Sequence, residues 1–162
     1  MADFRDTLNC YEPVVLHNGA TLDMSAGAMT PPTNQRLVKT LAIAFVLADI
    51  TAGSKSSASL PTNALILGSH VSMTTALTFT GTDTTGVTGE IGNADTDGFG
   101  AATQLSGVAG VRRPAAGALV GSVVAGSTGG AVVTFVGTGP AADLADVTAG
   151  AGTAYVHYLD LA

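Results

Sequence analysis

The stretch Leu37-Val-Lys-Thr-Leu-Ala-Ile-Ala-Phe-Val-Leu-Ala48 decides the fold class. Leu37, Lys39, Leu41, Ile43, Phe45 and Leu47 alternate with Val38, Thr40, Ala42, Ala44, Val46 and Ala48, the period of two that belongs to a strand. The first set is bulky and almost wholly apolar, and the second is small and also mostly apolar. Neither face is made for open water, so one is expected to line a core and the other to meet another subunit.

Downstream, Asp49–Ser57 reads as a polar, turn-rich segment and Ser57–Leu60 as a short strand, before Pro61-Thr62-Asn63 resets the chain for a strand over Ala64–Met73. Leu77–Thr80 and Val87–Ile91 flank Gly81-Thr-Asp-Thr-Thr-Gly86, which reads as a hairpin connection. Asp95–Thr103 reads as one helical turn capped by an aspartate, the one helix expected. Ala118–Val124 and Ala131–Val136 are expected to pair around a Gly126–Gly130 turn. The terminal Thr153–Leu161 is rich in β-branched and aromatic residues, with Tyr155 and Tyr158 on opposite faces. Short strands at close spacing imply an all-β antiparallel sandwich or barrel, jelly-roll-like, over residues 37–162. Residues 1–36 lack a period, carry Pro13, Pro31 and Pro32, and read as an extended N-terminal arm with strand-like pieces such as Val14–His17.

Composition narrows the function. The 162 residues fit one domain. Charged residues are 11% of them, where about 25% is usual. With 27 alanines, 22 threonines and 21 glycines, the side-chain inventory is small, neutral and poor in catalytic groups. The net charge is −6 and the six basic residues are scattered, so the dense cationic face that displaces counterions from nucleic acid is missing. The lone Cys10 excludes an internal disulfide or a multi-thiolate metal site. The start MADFRD alternates charges where a secretory signal carries a basic start and an apolar run, so assembly in a host cytoplasm is expected. Pro114–Ala142 is uncharged, but its glycines and hydroxyls would make a poorly inserting helix, and no membrane span is expected.

Asn93, Asp95 and Asp97, followed by Gly98, fit the first half of a calcium loop, in which alternate oxygens converge on the cation. The twelfth position is Gln104 in place of a bidentate carboxylate, so a polar turn bonded to backbone amides is the favoured reading and no metal or other cofactor is expected. Paired carboxylates such as Asp95 with Asp97, or Asp143 with Asp146, sit in loop-like sequence where raised pKa values are not expected. His17, His70 and His157 lie far apart in the chain, so a pairing among them would need the fold to bring them together. No serine stands in a nucleophile-elbow setting, and no enzyme activity is expected. Arg112-Arg113-Pro114 is the one basic cluster, a solvated turn or a clamp on an acidic neighbour. Arg36, Arg112, Arg113, Tyr155 and His157 are the candidates for contact with a neighbouring subunit.

The segments Leu60–Gly68, Gly89–Phe99 and Leu144–Leu161, within residues 37–162, resemble the decoration or cement proteins of tailed-bacteriophage heads. The resemblance implies a β-sandwich or barrel, usually a homotrimer, that binds where major capsid protein subunits meet on the capsid exterior. It would stabilise the expanded shell against internal DNA pressure. The family has no catalytic residues to carry over. Similar phage proteins form head fibres or tail parts, which makes a head-fibre or host-binding component the alternative. The scarcity of aromatic residues counts against glycan binding, since sugar platforms use exposed rings.

Overall fold

The computed structural model describes residues 38–124 and 130–161. Two antiparallel sheets form a sandwich. Sheet A contains β1 (Val38–Val46), β9 (Val147–Asp160), β3 (Ala64–Phe79) and β6 (Gly110–Arg112), in that order, with β7 (Val123–Val124) also beside β3. Sheet B runs β2 (Ser54–Ser59), β8 (Gly130–Thr138), β4 (Gly86–Gly92), β5 (Gly100–Gln104). Neither sheet closes on itself, so of the two expected architectures the chain adopts the sandwich and not the barrel. The N-terminal arm with Val14–His17, and the tip of the Gly126–Gly130 turn, lie outside the described residues.

The alternation expected over residues 37–48 forms a strand from Val38 to Val46, after which Leu47 and Ala48 enter a helix, while Leu37 lies outside the described residues. Ile43 and Phe45 are buried, whereas Ala42, Ala44 and Val46 face outward on β1. Phe45 meets Phe135 of β8 edge-on, with ring centroids 5.0 Å apart, so the inner faces of the two sheets share one core. Around this pair lie Ile66, Val71 and Met73 of β3, Val87 and Ile91 of β4, and Ala154 and Val156 of β9. Strand β9 carries glycine where β1 brings its largest ring. A Cβ on Gly152 would stand 2.7 Å from Phe45 Cζ and 2.7 Å from the Ser72 carbonyl oxygen.

Several local readings are corrected. Asp49–Ser57 is not a simple turn, because a short helix, α1 (Leu47–Thr51), follows β1 directly and β2 begins at Ser54. The Asp49 carboxylate accepts a hydrogen bond from Val46 N at 3.0 Å, which starts the helix, and Ile50 is driven fully into the core. Ala64–Met73 and Leu77–Thr80 are one strand, β3. Register shifts at Met73/Thr75, Thr75/Thr78 and Thr78/Phe79 insert extra residues, which breaks the period of two without ending the pairing with β9.

Gly81–Gly86 is not a hairpin, because β3 and β4 belong to different sheets. The link crosses between them and is fixed by Thr84, a buried polar side chain. Its hydroxyl accepts from Asp143 N at 2.8 Å and donates to either the Asp143 carbonyl oxygen or Asp146 Oδ2. Asp95–Thr103 is a turn followed by β5 instead of a helical turn. Val123–Val124 pairs with β3 while β8 pairs with β2 and β4, so the expected hairpin over 118–136 is divided between the sheets. Among the described residues no helix is long and apolar enough to cross a membrane.

Candidate functional site

The outward side of sheet A follows from its register. Thr40, Ala42 and Ala44 of β1 stand opposite His157, Tyr155 and Thr153 of β9, and His70 and Ser72 of β3 flank Tyr155 and Thr153 on the other side. Val111 of β6 lies beyond Ser72. No carboxylate occurs among these residues. Val46 and Val111 are each 56% exposed, so the face carries apolar surface to solvent. Tyr158, one pleat away, turns inward against the core, as the expected opposition to Tyr155 requires.

The strand register brings His70 and His157 together although they are 87 residues apart. His70 Nδ1 and His157 Nε2 are 3.0 Å apart, and His157 Nδ1 is 3.0 Å from Thr40 Oγ1. The ring centroids lie 5.1 Å apart with planes 17° from parallel. That separation, with the nitrogens in contact, means the imidazoles meet edge to edge in nearly one plane and do not overlap. Tyr155 lies over His70 at 4.7 Å and 18°. The N···N bond requires one nitrogen to donate and the other to accept, so at least one ring is neutral while it is made. The His70 pKa is pushed below its ordinary value, mainly by burial and further by His157 and Arg113.

Beside this row is a groove of about 450 Å³ lined by Gly68, Ser69, His70, Val111, Arg113 and His157. It opens where the far edge of β3 changes partner, since β7 covers Ala64 and Leu65, and β6 covers Val71 to Met73. The bulge between Ile66 and Gly68 falls in this gap, with Gly68 at φ 146°, a value that side chains rarely adopt. Ser69 donates to the Phe99 carbonyl oxygen at 2.9 Å and fastens the groove floor to the loop after β4.

The predicted contact residues separate here. Tyr155, His157 and Arg113 come together on or beside the outer face of sheet A. Arg112 does not join them, because its guanidinium donates to the carbonyl oxygens of Val108 at 2.7 Å and Val111 at 3.4 Å and braces its own loop. Arg36 lies outside the described residues. Sequence reasoning named His70 only within a pairing that the fold would have to make, as it does with His157, and missed Thr40 and the groove. The spacing of two histidines on different strands carries no signal until the strands are paired.

Asn93, Asp95 and Asp97 form the polar turn. Asn93 N donates to the Asp95 carbonyl oxygen, and Asp95 N donates to Asn93 Oδ1 at 3.4 Å. No group of three or more His, Cys, Asp or Glu among the described residues is arranged to hold a metal ion. One expectation fails at this turn. The Asp95 pKa is raised, chiefly through a side-chain hydrogen bond with Asp97 and secondarily by burial and that neighbour's charge.

No protein-family model and no curated protein matches the chain. A solved structure described as the cyanophage Pam1 capsid asymmetric unit contains a chain of similar fold. The TM-score is 0.56 with 17% sequence identity, and the match covers 88% of this chain and 99% of that one. At this identity the likeness speaks to the fold, and it extends over nearly the whole of both chains.

Proposed function

We infer that this chain is a structural virion protein of a bacteriophage, one that seats on the capsid exterior, stabilises the shell as a decoration or cement protein, and performs no catalysis. The observation that carries the reading is the outer face of sheet A, a surface without carboxylates on a chain of net charge −6. Small and apolar side chains lose little hydration on burial and permit close backbone approach, which suits contact with other subunits. The fold shared with a chain of a cyanophage capsid asymmetric unit supports the setting. A homotrimer bound at equivalent shell positions would combine weak individual contacts into firm attachment. Binding only the folded state, the shell would in turn stabilise the protein.

Particles assembled without the protein should release DNA at a lower temperature, and sooner under chelation, than particles that carry it. Equal survival of the two preparations overturns the cementing role. Adhesion of the purified protein to host cells, with no binding to empty shells, would favour a head-fibre or host-binding component instead.

A further inference from the structure

Arg113 is exposed, lines the groove beside His70 and His157, and makes no hydrogen bond or ion pair with any described residue. Four of the described carboxylates already have partners. Asp49 holds Val46 N and Lys55, Asp160 holds Lys39, Asp143 accepts from Ala145 N, and Asp146 receives a bond from Thr84. Asp83, Glu90, Asp95 and Asp97 have no ion pair with a described cation, and of these Asp95 and Asp97 are the two that stand exposed on one turn. The same chain thus holds an unmatched cationic groove and an unmatched pair of acids.

We propose that the outer face of sheet A seats a second copy of this chain, whose Asp95 and Asp97 reach into the groove and engage the guanidinium of Arg113. Arginine's planar fork meets carboxylates with two parallel bonds, and a cation relieves the repulsion between two crowded acids. The rest of the face adds no carboxylate to oppose the approach and offers Val46 and Val111 for apolar contact. Within one chain no ion pair joins Arg113 to Asp95 or Asp97. The segment after Arg113 is held by backbone bonds to the residues that follow the acids, with Ala101 N donating to the Ala115 carbonyl oxygen and Leu119 N to that of Gly98. The same pairing serves either symmetry, made once between successive copies of a ring or twice across a two-fold axis, where the Arg113 of each copy meets the acids of the other. The inference deepens the self-association in the reading above and is independent of attachment to a shell.

The test is a charge exchange followed by sedimentation velocity of the full chain at tens of micromolar. Wild type should be oligomeric, and more weakly so as salt is raised. Arg113→Glu alone, and Asp95→Arg with Asp97→Arg, should each weaken assembly by roughly tenfold or more. The variant that combines all three substitutions should recover it, and so should an equimolar mixture of the two defective proteins. Circular dichroism and melting of each variant confirm that the exposed substitutions leave the fold intact. A monomeric wild type, an Arg113→Glu protein that assembles like wild type, or a failure of both the combined variant and the mixture to recover assembly overturns the proposal. Binding of the same proteins to empty shells, measured separately, decides the capsid reading. An Arg113→Glu monomer that still decorates shells would leave that reading standing.

Discussion

The two sheets have similar inner faces and different outer ones. Inward, both present Phe, Ile and Val to a common core. Outward, sheet B carries Ser54 and Ser56 of β2, Thr134 of β8, Thr88 and Glu90 of β4, and Gln104 of β5, with Val132 and Val136 of β8 among these hydroxyl, amide and carboxylate groups. The outer face of sheet A offers alanines, valines, a tyrosine and two histidines alongside the hydroxyls of Thr40, Ser72 and Thr153, and no carboxylate or amide among them. Both faces obey the same strand period, so the difference lies in what each was chosen to meet and not in how each folds. Among these outward residues, only those of sheet B include a carboxylate and an amide, Glu90 and Gln104.

The shared core is the part of this comparison that substitution should disturb most. Phe45→Ala and Phe135→Ala each remove one ring of the pair that joins the sheets, and each should cost about 3–5 kcal/mol of unfolding free energy. Combined, they should cost less than the sum, because each single change already forfeits the ring contact. Strictly additive losses in urea denaturation would mean that the sheets do not share one core. Thr84→Val should cost less, about 1–3 kcal/mol, by leaving Asp143 N and Asp146 without their buried partner. A change within a few tenths of a kcal/mol would show that water replaces the hydroxyl.

The outer faces are separated by a charge placed on each. Ala44→Glu on sheet A should leave folding intact and weaken self-association by roughly tenfold or more, since a carboxylate would be desolvated in the contact. Thr134→Glu on sheet B should leave self-association as it is. Equal effects by sedimentation would erase the distinction between the faces.

The outward character of sheet A was legible from residues 37–48, where the small set of the alternation was already too apolar for a solvated face. The end of the chain was legible too, including the opposition of Tyr155 and Tyr158. The two links that were misread share one cause. The links at 81–86 and 125–129 are rich in Gly and Thr and suit a tight hairpin, but whether a strand pairs with its neighbour or crosses to the other sheet is decided by long-range packing. The bulges of β3 hid its length for a related reason, since an inserted residue breaks a local pattern while distant pairing continues. The site was half visible. Tyr155, His157 and Arg113 stood out by type, yet only the β3–β9 register joins them to His70.

The smallest expected effect concerns protons on the outer face of sheet A. His70 has a folded pKa below its ordinary value of 6.5, so between those values the unfolded chain binds more protons than the folded one. Stability therefore rises with pH across that window. The contribution is complete above pH 6.5 and is lost as pH falls toward the folded pKa. The groups around the ring are His157 and Tyr155 from β9, Arg113 after β6 and the neutral Thr40 from β1, which reaches it through His157. The lowered pKa of His70 belongs to this face, and the strands of sheet B carry no histidine. Urea denaturation of wild type from pH 8 to pH 5 should show stability falling below pH 6.5, and His70→Gln should flatten that fall. Parallel curves for the two proteins would place the sensitivity elsewhere and remove the proton coupling that sets the outer face of sheet A apart.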